Sequence, residues 1–171
     1  IGDRAAVPVH RCFVIAEAGV NHNGSTDIAL QLVDAAASAG ADAVKFQTFS
    51  AERLASAAAG MAEYQKRNTG QDVKQLDMLK KLELEESAYP VLLERCRARD
   101  IIFLSSPFDE LSADLLHRFD VPAFKIPSGE ITNLPYLAHI ARLGRPMIVS
   151  TGMATMAEIA AALDTIAEHG A

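Results

Sequence analysis

The sequence predicts an α/β fold of parallel strands alternating with helices, the first five βα units of a (β/α)8 TIM barrel. Three observations predict it. Short apolar runs alternate with longer amphipathic stretches along the 171 residues. Polar and charged residues gather where the apolar runs end, the place where barrels build their sites. One run, Ala43 to Phe49, puts Val44, Phe46 and Thr48 on one face and Ala43, Lys45 and Gln47 on the other. A strand covered by helices on both sides is apolar on both faces, so a lysine and a glutamine on one face suit the polar mouth of a barrel. The rival is a doubly wound sheet of five strands, but no Gly-x-Gly-x-x-Gly follows the first strand, which argues against its dinucleotide-binding form.

Cys12 to Val20 reads as the first strand, and Asn21-His22-Asn23-Gly24 as the turn after it. Ser25 is positioned to cap a helix whose apolar stripe is Ile28, Leu32, Val33 and Ala36, and Gly40 stops it. Ala43 to Phe49, Ile101 to Phe108, Ala123 to Gly129 and Met147 to Met153 read as the later strands. Helices are expected near Pro90 to Arg99 and over 110–119, 134–143 and 155–169. The last opens with Thr155 and Glu158 at capping-box spacing. The gap between the second and third strands holds an insertion over 50–74 that includes Ala62-Glu63-Tyr64-Gln65-Lys66; it is either a functional loop or a plain surface excursion. Gly170 reads as a helix stop before a sixth strand, so an incomplete barrel is expected, one domain over 1–171 with the remaining strands absent.

Composition excludes several classes. Half of the residues are hydrophobic and 22% are charged, the balance of a globular domain. Acidic residues number 22 against 16 basic, a net charge of −6, which argues against a nucleic-acid partner. No apolar run approaches a membrane span. Ile1-Gly2-Asp3-Arg4 opens no basic-then-apolar leader, so a cytoplasmic location is expected. Cys12 and Cys96 lack metal-ligand spacing and read as reduced thiols.

Candidate chemistry lies at the strand ends: Glu17, Lys45, Gln47, Ser105, Ser106, Lys125, Ser128, Glu130, Ser150 and Thr151. A lone hydroxyl there commonly caps a helix. A lysine inside an apolar strand is costly unless it is paired or binds an anion. Two lysines beside several hydroxyls therefore suit a small, highly anionic ligand, with backbone N–H groups near Ser128-Gly129 and Thr151 to Thr155 as added donors. Structural pairing of the lysines with Glu17 or Glu130 is the plainer reading, and a Schiff base on one lysine is another. Glu17 and Glu130 can serve as acid or base, or orient the lysines. His22 either touches substrate or makes a backbone hydrogen bond in its turn. His10, His117, His139 and His169 read as surface, and Met153 and Met156 as packing residues.

Five segments carry a family resemblance. Ile15-Ala16-Glu17-Ala18-Gly19-Val20-Asn21-His22-Asn23-Gly24 resembles the opening signature of the N-acetylneuraminate (sialic acid) synthase family. Ala41 to Phe49, Leu104-Ser105-Ser106-Pro107-Phe108-Asp109, Phe124 to Pro135 and Ser150-Thr151-Gly152-Met153-Ala154-Thr155 resemble its next four strands, in the family's order.

The resemblance implies a (β/α)8 barrel followed by a small antifreeze-like domain. It implies condensation of phosphoenolpyruvate with the open-chain form of an N-acylated amino sugar, typically N-acetylmannosamine, to a nine-carbon 2-keto acid and phosphate. C3 of phosphoenolpyruvate attacks the sugar aldehyde, water adds at C2, and phosphate leaves by C–O cleavage, while Mn2+ or Mg2+ polarises the aldehyde. It implies that Lys45, Lys125, Ser128 and Ser150 hold phosphoenolpyruvate, with Ser106 where many members have Thr. Gln47 matches a sugar-binding position, and Glu17 and Glu130 match acidic residues around the reacting centre. The family's two metal-binding histidines, and an arginine lent across a homodimer, fall beyond Ala171. These 171 residues alone are therefore expected to be inactive. Legionaminic, pseudaminic and spore-coat polysaccharide synthases are the alternatives, the pseudaminic type fitting less well. A lysine-dependent aldolase and a non-catalytic phosphoenolpyruvate binder complete the set.

Overall fold

The computed structural model describes residues 12–54 and 75–170. The expected insertion motif Ala62 to Lys66, and His10, lie outside the described residues. Five strands form one sheet: β1 (Ile15–Gly19), β2 (Ala43–Thr48), β3 (Ile102–Pro107), β4 (Phe124–Ile126) and β5 (Met147–Val149). They lie in the order β1-β2-β3-β4-β5 and every neighbouring pair is parallel. A doubly wound sheet reverses its strand order at a switch point. Here the order never reverses, which is how a barrel wall is built.

The helices are α1 (Thr26–Ser38), α2 (Ala51–Leu54), α3 (Gln75–Leu82), α4 (Ala88–Ala98), α5 (Glu110–Arg118), α6 (Leu134–Arg142) and α7 (Met156–Glu168). Ser25 caps α1 by accepting the Ile28 N–H at 3.3 Å, as its position predicts. Thr155 and Glu158 close the expected capping box on α7. Asp109 and Asn133 cap α5 and α6. The sequence reading did not anticipate α2 or α3, which occupy part of the long passage between β2 and β3.

Side chains divide between the two faces of the sheet. Val44, Phe46, Phe103, Phe124 and Ile126 face the helices and pack with Val33, Leu92, Leu116, Leu137 and Ile140 in the main core. Each such large side chain contributes about 1.5–3 kcal/mol by leaving water. Ala43, Leu104 and Ala123, with Ile15, Ile102 and Ile148 against them, form a second, smaller cluster. These alternate with the first set along the strands, so they floor the inner face of the wall.

Two strands end three or four residues before the expected bound, the other three within one residue of it. Ala123 to Gly129 was expected as strand, but β4 stops at Ile126 and Ser128–Glu130 form a 3-10 turn. Pro127 has no N–H for a ladder, and its carbonyl instead accepts the Glu130 N–H at 3.1 Å. β5 stops at Val149 rather than Met153, because Gly152 and Met153 turn and Met153 takes a positive φ of 61°. Met153 and Met156, expected to pack, are exposed: the turn swings Met153 outward, and nothing among the described residues covers either.

Candidate active site

The parallel register sets the site. Glu17 stands opposite Lys45, and Gln47 opposite Ser106. Lys125 stands opposite Ile148 of the inner cluster, and Ser105, one residue before Ser106, stands opposite Phe124. Glu17, Lys45, Gln47, Ser106, Lys125 and Ser150 thus continue the inner face above its apolar floor, toward the C-terminal ends of the strands.

Lys45 is nearly buried and forms an ion pair with Glu17, whose side chain is 56% exposed. The plainer reading of Lys45 is therefore realised, although its partner reaches it from the solvent side. Lys125 meets no carboxylate among the described contacts. Its Nζ donates to Ser150 Oγ at 2.5 Å and to the Ile126 carbonyl at 2.9 Å. Its pKa is lowered below the usual lysine value, first by burial and then by the charge of Lys45, with Glu17 opposing. Two ammonium groups on one face, one of them held only by neutral oxygens, are chemically suited to an anion.

Ser106 is buried on this face, 3% exposed, while Ser105 beside it turns the other way. Ser105 shares a 2.7 Å hydrogen bond with Thr48, which accepts from Tyr89 at 3.0 Å, so Ser105 belongs to the layer between sheet and helices. Ser128 opens the 3-10 turn after β4. Glu130 closes that turn, and its carboxylate accepts from the Asn133 amide at 2.8 Å rather than from Lys125. A recess of about 160 Å³ joins Ser128, Gly129, Thr132, Gly152, Ala154 and Glu158. A larger cleft of about 320 Å³ lies beside the exits of β2 and β3, lined by Arg53, Tyr89, Ser112 and Arg118, and contains neither lysine. The geometry of the inner face, rather than cleft size, marks the site.

His22 is buried and its Nδ1 accepts the Gly24 N–H at 3.0 Å, the turn role allowed for it above. The proton therefore sits on Nε2, which is buried without a hydrogen-bond partner among the described residues. Burial lowers its pKa and keeps the ring neutral. His139, expected at the surface, is half-buried and pairs with Asp114 at 2.7 Å.

Two glycines have close approaches that the sequence does not show, although Gly152 lies in the stretch expected to supply backbone donors. A Cβ on Gly19 would come within 3.2 Å of Glu17 Oε1 and 3.8 Å of Gln47 Nε2. A Cβ on Gly152 would come within 3.3 Å of Ser128 Oγ. Both stand inside the recognised motifs, but the approach of Gly152 to Ser128, and of Gly19 to Gln47, is made across strands and leaves no trace in local spacing. Among the described residues no three His, Cys, Asp or Glu side chains gather as a metal site, and none of the described helices is long and apolar enough to cross a membrane. The described residues therefore do not themselves fit the expected divalent ion.

The fold and this inner face define a parallel βα barrel wall with an anion-suited cluster at its strand ends. The chain belongs to the NeuB family, whose model matches residues 32–171. It is 49% identical over 161 residues to an N,N'-diacetyllegionaminic acid synthase of Campylobacter jejuni, covering 94% of this chain and 48% of that protein. It is 51% identical over 155 residues to the Legionella pneumophila protein of the same name, covering 91% and 44%. Its fold is similar to the crystal structure of an N-acetylneuraminic acid (sialic acid) synthetase from Leptospira borgpetersenii in complex with citrate, with a TM-score of 0.77 and 30% identity over 92% of this chain and 50% of that one. The chain spans about half the length of the curated relatives it matches.

Proposed function

We propose that this chain supplies the phosphoenolpyruvate side of a synthase that condenses phosphoenolpyruvate with an open-chain N-acylated amino sugar. The observation that carries the reading is the convergence of Lys45 and Lys125 on one face with Ser106 and Ser150. Phosphoenolpyruvate brings a carboxylate and a phosphate on three carbons, and two ammonium groups with hydroxyls beside them answer both. Ser128, near Gly152, adds a hydroxyl at the rim. In the reaction C3 forms a bond to the sugar aldehyde carbon and water adds at C2. The C2–O bond then breaks, releasing phosphate with its bridging oxygen and leaving a nine-carbon 2-keto acid. Glu17 is assigned a proton-handling role at this centre, a reading supported by its pairing with Lys45 and its openness to solvent. Gln47, one step further along the same face, is assigned to the sugar. The divalent ion, Mn2+ or Mg2+, draws its ligands from outside the described residues.

The relatives at 49% and 51% identity carry the legionaminic name, so a diacetylated amino sugar takes precedence over N-acetylmannosamine as acceptor in this reading. The test is to incubate the intact protein with phosphoenolpyruvate, Mn2+ and each sugar in turn. The expected result is a nine-carbon 2-keto acid in step with phosphate, with the bridging oxygen of labelled phosphoenolpyruvate recovered in the phosphate. Phosphate release without a carbon–carbon bond overturns the reading. Inactivation by borohydride in the presence of a carbonyl substrate favours the Schiff-base aldolase instead.

A further inference from the structure

The carboxylate of Asp109 gathers donors from two loops at once. Its Oδ1 accepts the Ser112 N–H at 3.0 Å and faces Arg53 Nε at 3.0 Å. Its Oδ2 accepts the Ser112 hydroxyl at 2.6 Å and the Ser50 N–H at 3.3 Å. The side chain is only 16% exposed. Capping α5 requires the Ser112 N–H alone. Ser50 and Arg53 belong to the segment that leaves β2, so the remaining bonds join the exit of β2 to the exit of β3. The last backbone link between the two strands lies just before them, where the Phe108 N–H donates to the Thr48 carbonyl at 3.0 Å. Glu83 holds the same segment from another side by accepting the Ala51 N–H at 2.9 Å. Beyond Thr48 there is no ladder, and these two carboxylates replace it.

Gln47 is the residue just before Thr48 and lies opposite Ser106, three residues before Asp109. Lys45 sits deeper in the ladder, and Lys125 and Ser150 belong to β4 and the residue after β5, out of reach of the clasp. We propose that Asp109 is a positioning residue for the sugar side of the site, clamping the exit of β2 so that Gln47 keeps its place over the inner face. The proposal rests on the assignment of Gln47 to the sugar made above.

The test uses the intact protein with N-acetylmannosamine or a diacetamido sugar, whichever the wild type turns over. Asp109→Asn keeps the volume but removes the charge that Arg53 and the two backbone donors share. Its expected effect is a rise of about tenfold in KM for the sugar, with phosphoenolpyruvate affinity by calorimetry within about twofold and a melting temperature near that of wild type. Arg53→Gln, which spares the cap, is expected to raise the sugar KM about threefold on its own, and Ser112→Ala to leave the ratio of the two KM values unchanged. Hydrogen exchange at Ser50 is expected to quicken in Asp109→Asn while β4 and β5 keep their protection. A folded Asp109→Asn with unaltered sugar KM, or with sugar and phosphoenolpyruvate weakened alike, overturns the proposal, and so does Arg53→Gln without effect should Asp109→Asn fail to fold. A wild type that turns over neither sugar overturns the functional reading instead, and unchanged exchange at Ser50 then overturns the clasp independently.

Discussion

Glu17 and Lys45 stand directly opposite each other on adjacent parallel strands and close an ion pair at the mouth of the sheet. The lysine is 12% exposed and the glutamate 56%, so the pair has one foot in the site and one in solvent. An incoming anion competes with Glu17 for that ammonium. Glu17→Gln in the intact protein is therefore expected to tighten phosphoenolpyruvate binding roughly two- to fivefold, the scale of a half-exposed pair, while turnover falls. Calorimetry together with initial rates reads both, and weaker binding would show that Glu17 holds Lys45 in place rather than competing for it.

Lys125 predicts a pH dependence. Its proton is held less tightly than in an ordinary lysine, because the side chain is partly buried and feels the charge of Lys45. A bound dianion favours the charged form and raises that pKa again. Phosphoenolpyruvate affinity is thus fully present below the free-state pKa and is lost as pH rises through it toward the bound-state value. The decline is expected to begin below the usual lysine range. Dissociation constants measured from neutral to alkaline pH should show it, and in Lys125→Gln, which binds more weakly throughout, the decline assigned to this group should be missing.

Gly152 lets the chain after β5 close on Ser128. Its substitution by alanine puts a methyl 3.3 Å from Ser128 Oγ, so either the hydroxyl or the turn must give way. Gly152→Ala is expected to weaken phosphoenolpyruvate binding by about tenfold, the worth of one displaced hydrogen bond to an ionised group. Gly144→Ala serves as the control for a glycine with open space around it, though its φ of 69° adds strain to stability. Binding by Gly152→Ala at the wild-type level would count against Ser128 as a ligand.

The chain of hydroxyls from Tyr89 through Thr48 to Ser105 lies between sheet and helices. Burial pushes the Tyr89 pKa up to about 12, so its hydroxyl stays protonated and needs an acceptor. Thr48→Val preserves shape but strands both neighbours. A loss of about 1–3 kcal/mol is expected, from the cost of leaving buried polar groups unpaired. Urea unfolding measures it, and a loss below about 0.5 kcal/mol would mean that Tyr89 and Ser105 find each other.

The sequence by itself determined what is local. Caps at Ser25 and Thr155, the stop at Gly40 and the alternation of Val44, Lys45, Phe46 and Gln47 are decided by neighbours a few residues away, so the βα rhythm and the polar inner face could be read without coordinates. The strand ends at Ile126 and Val149 are not legible in the sequence, because neither Pro127 nor the hydroxyl pair Ser150-Thr151 marks by composition where the ladder stops. Only the tertiary structure decided which oxygen each ammonium meets: Glu17 for Lys45 and Ser150 for Lys125. It also separated Ser106 from Ser105, and showed what Gly152 and Asp109 meet. Those outcomes depend on parallel register and on contacts between residues dozens of positions apart, and a register is fixed only when the strands pair and their outer faces pack on the helices.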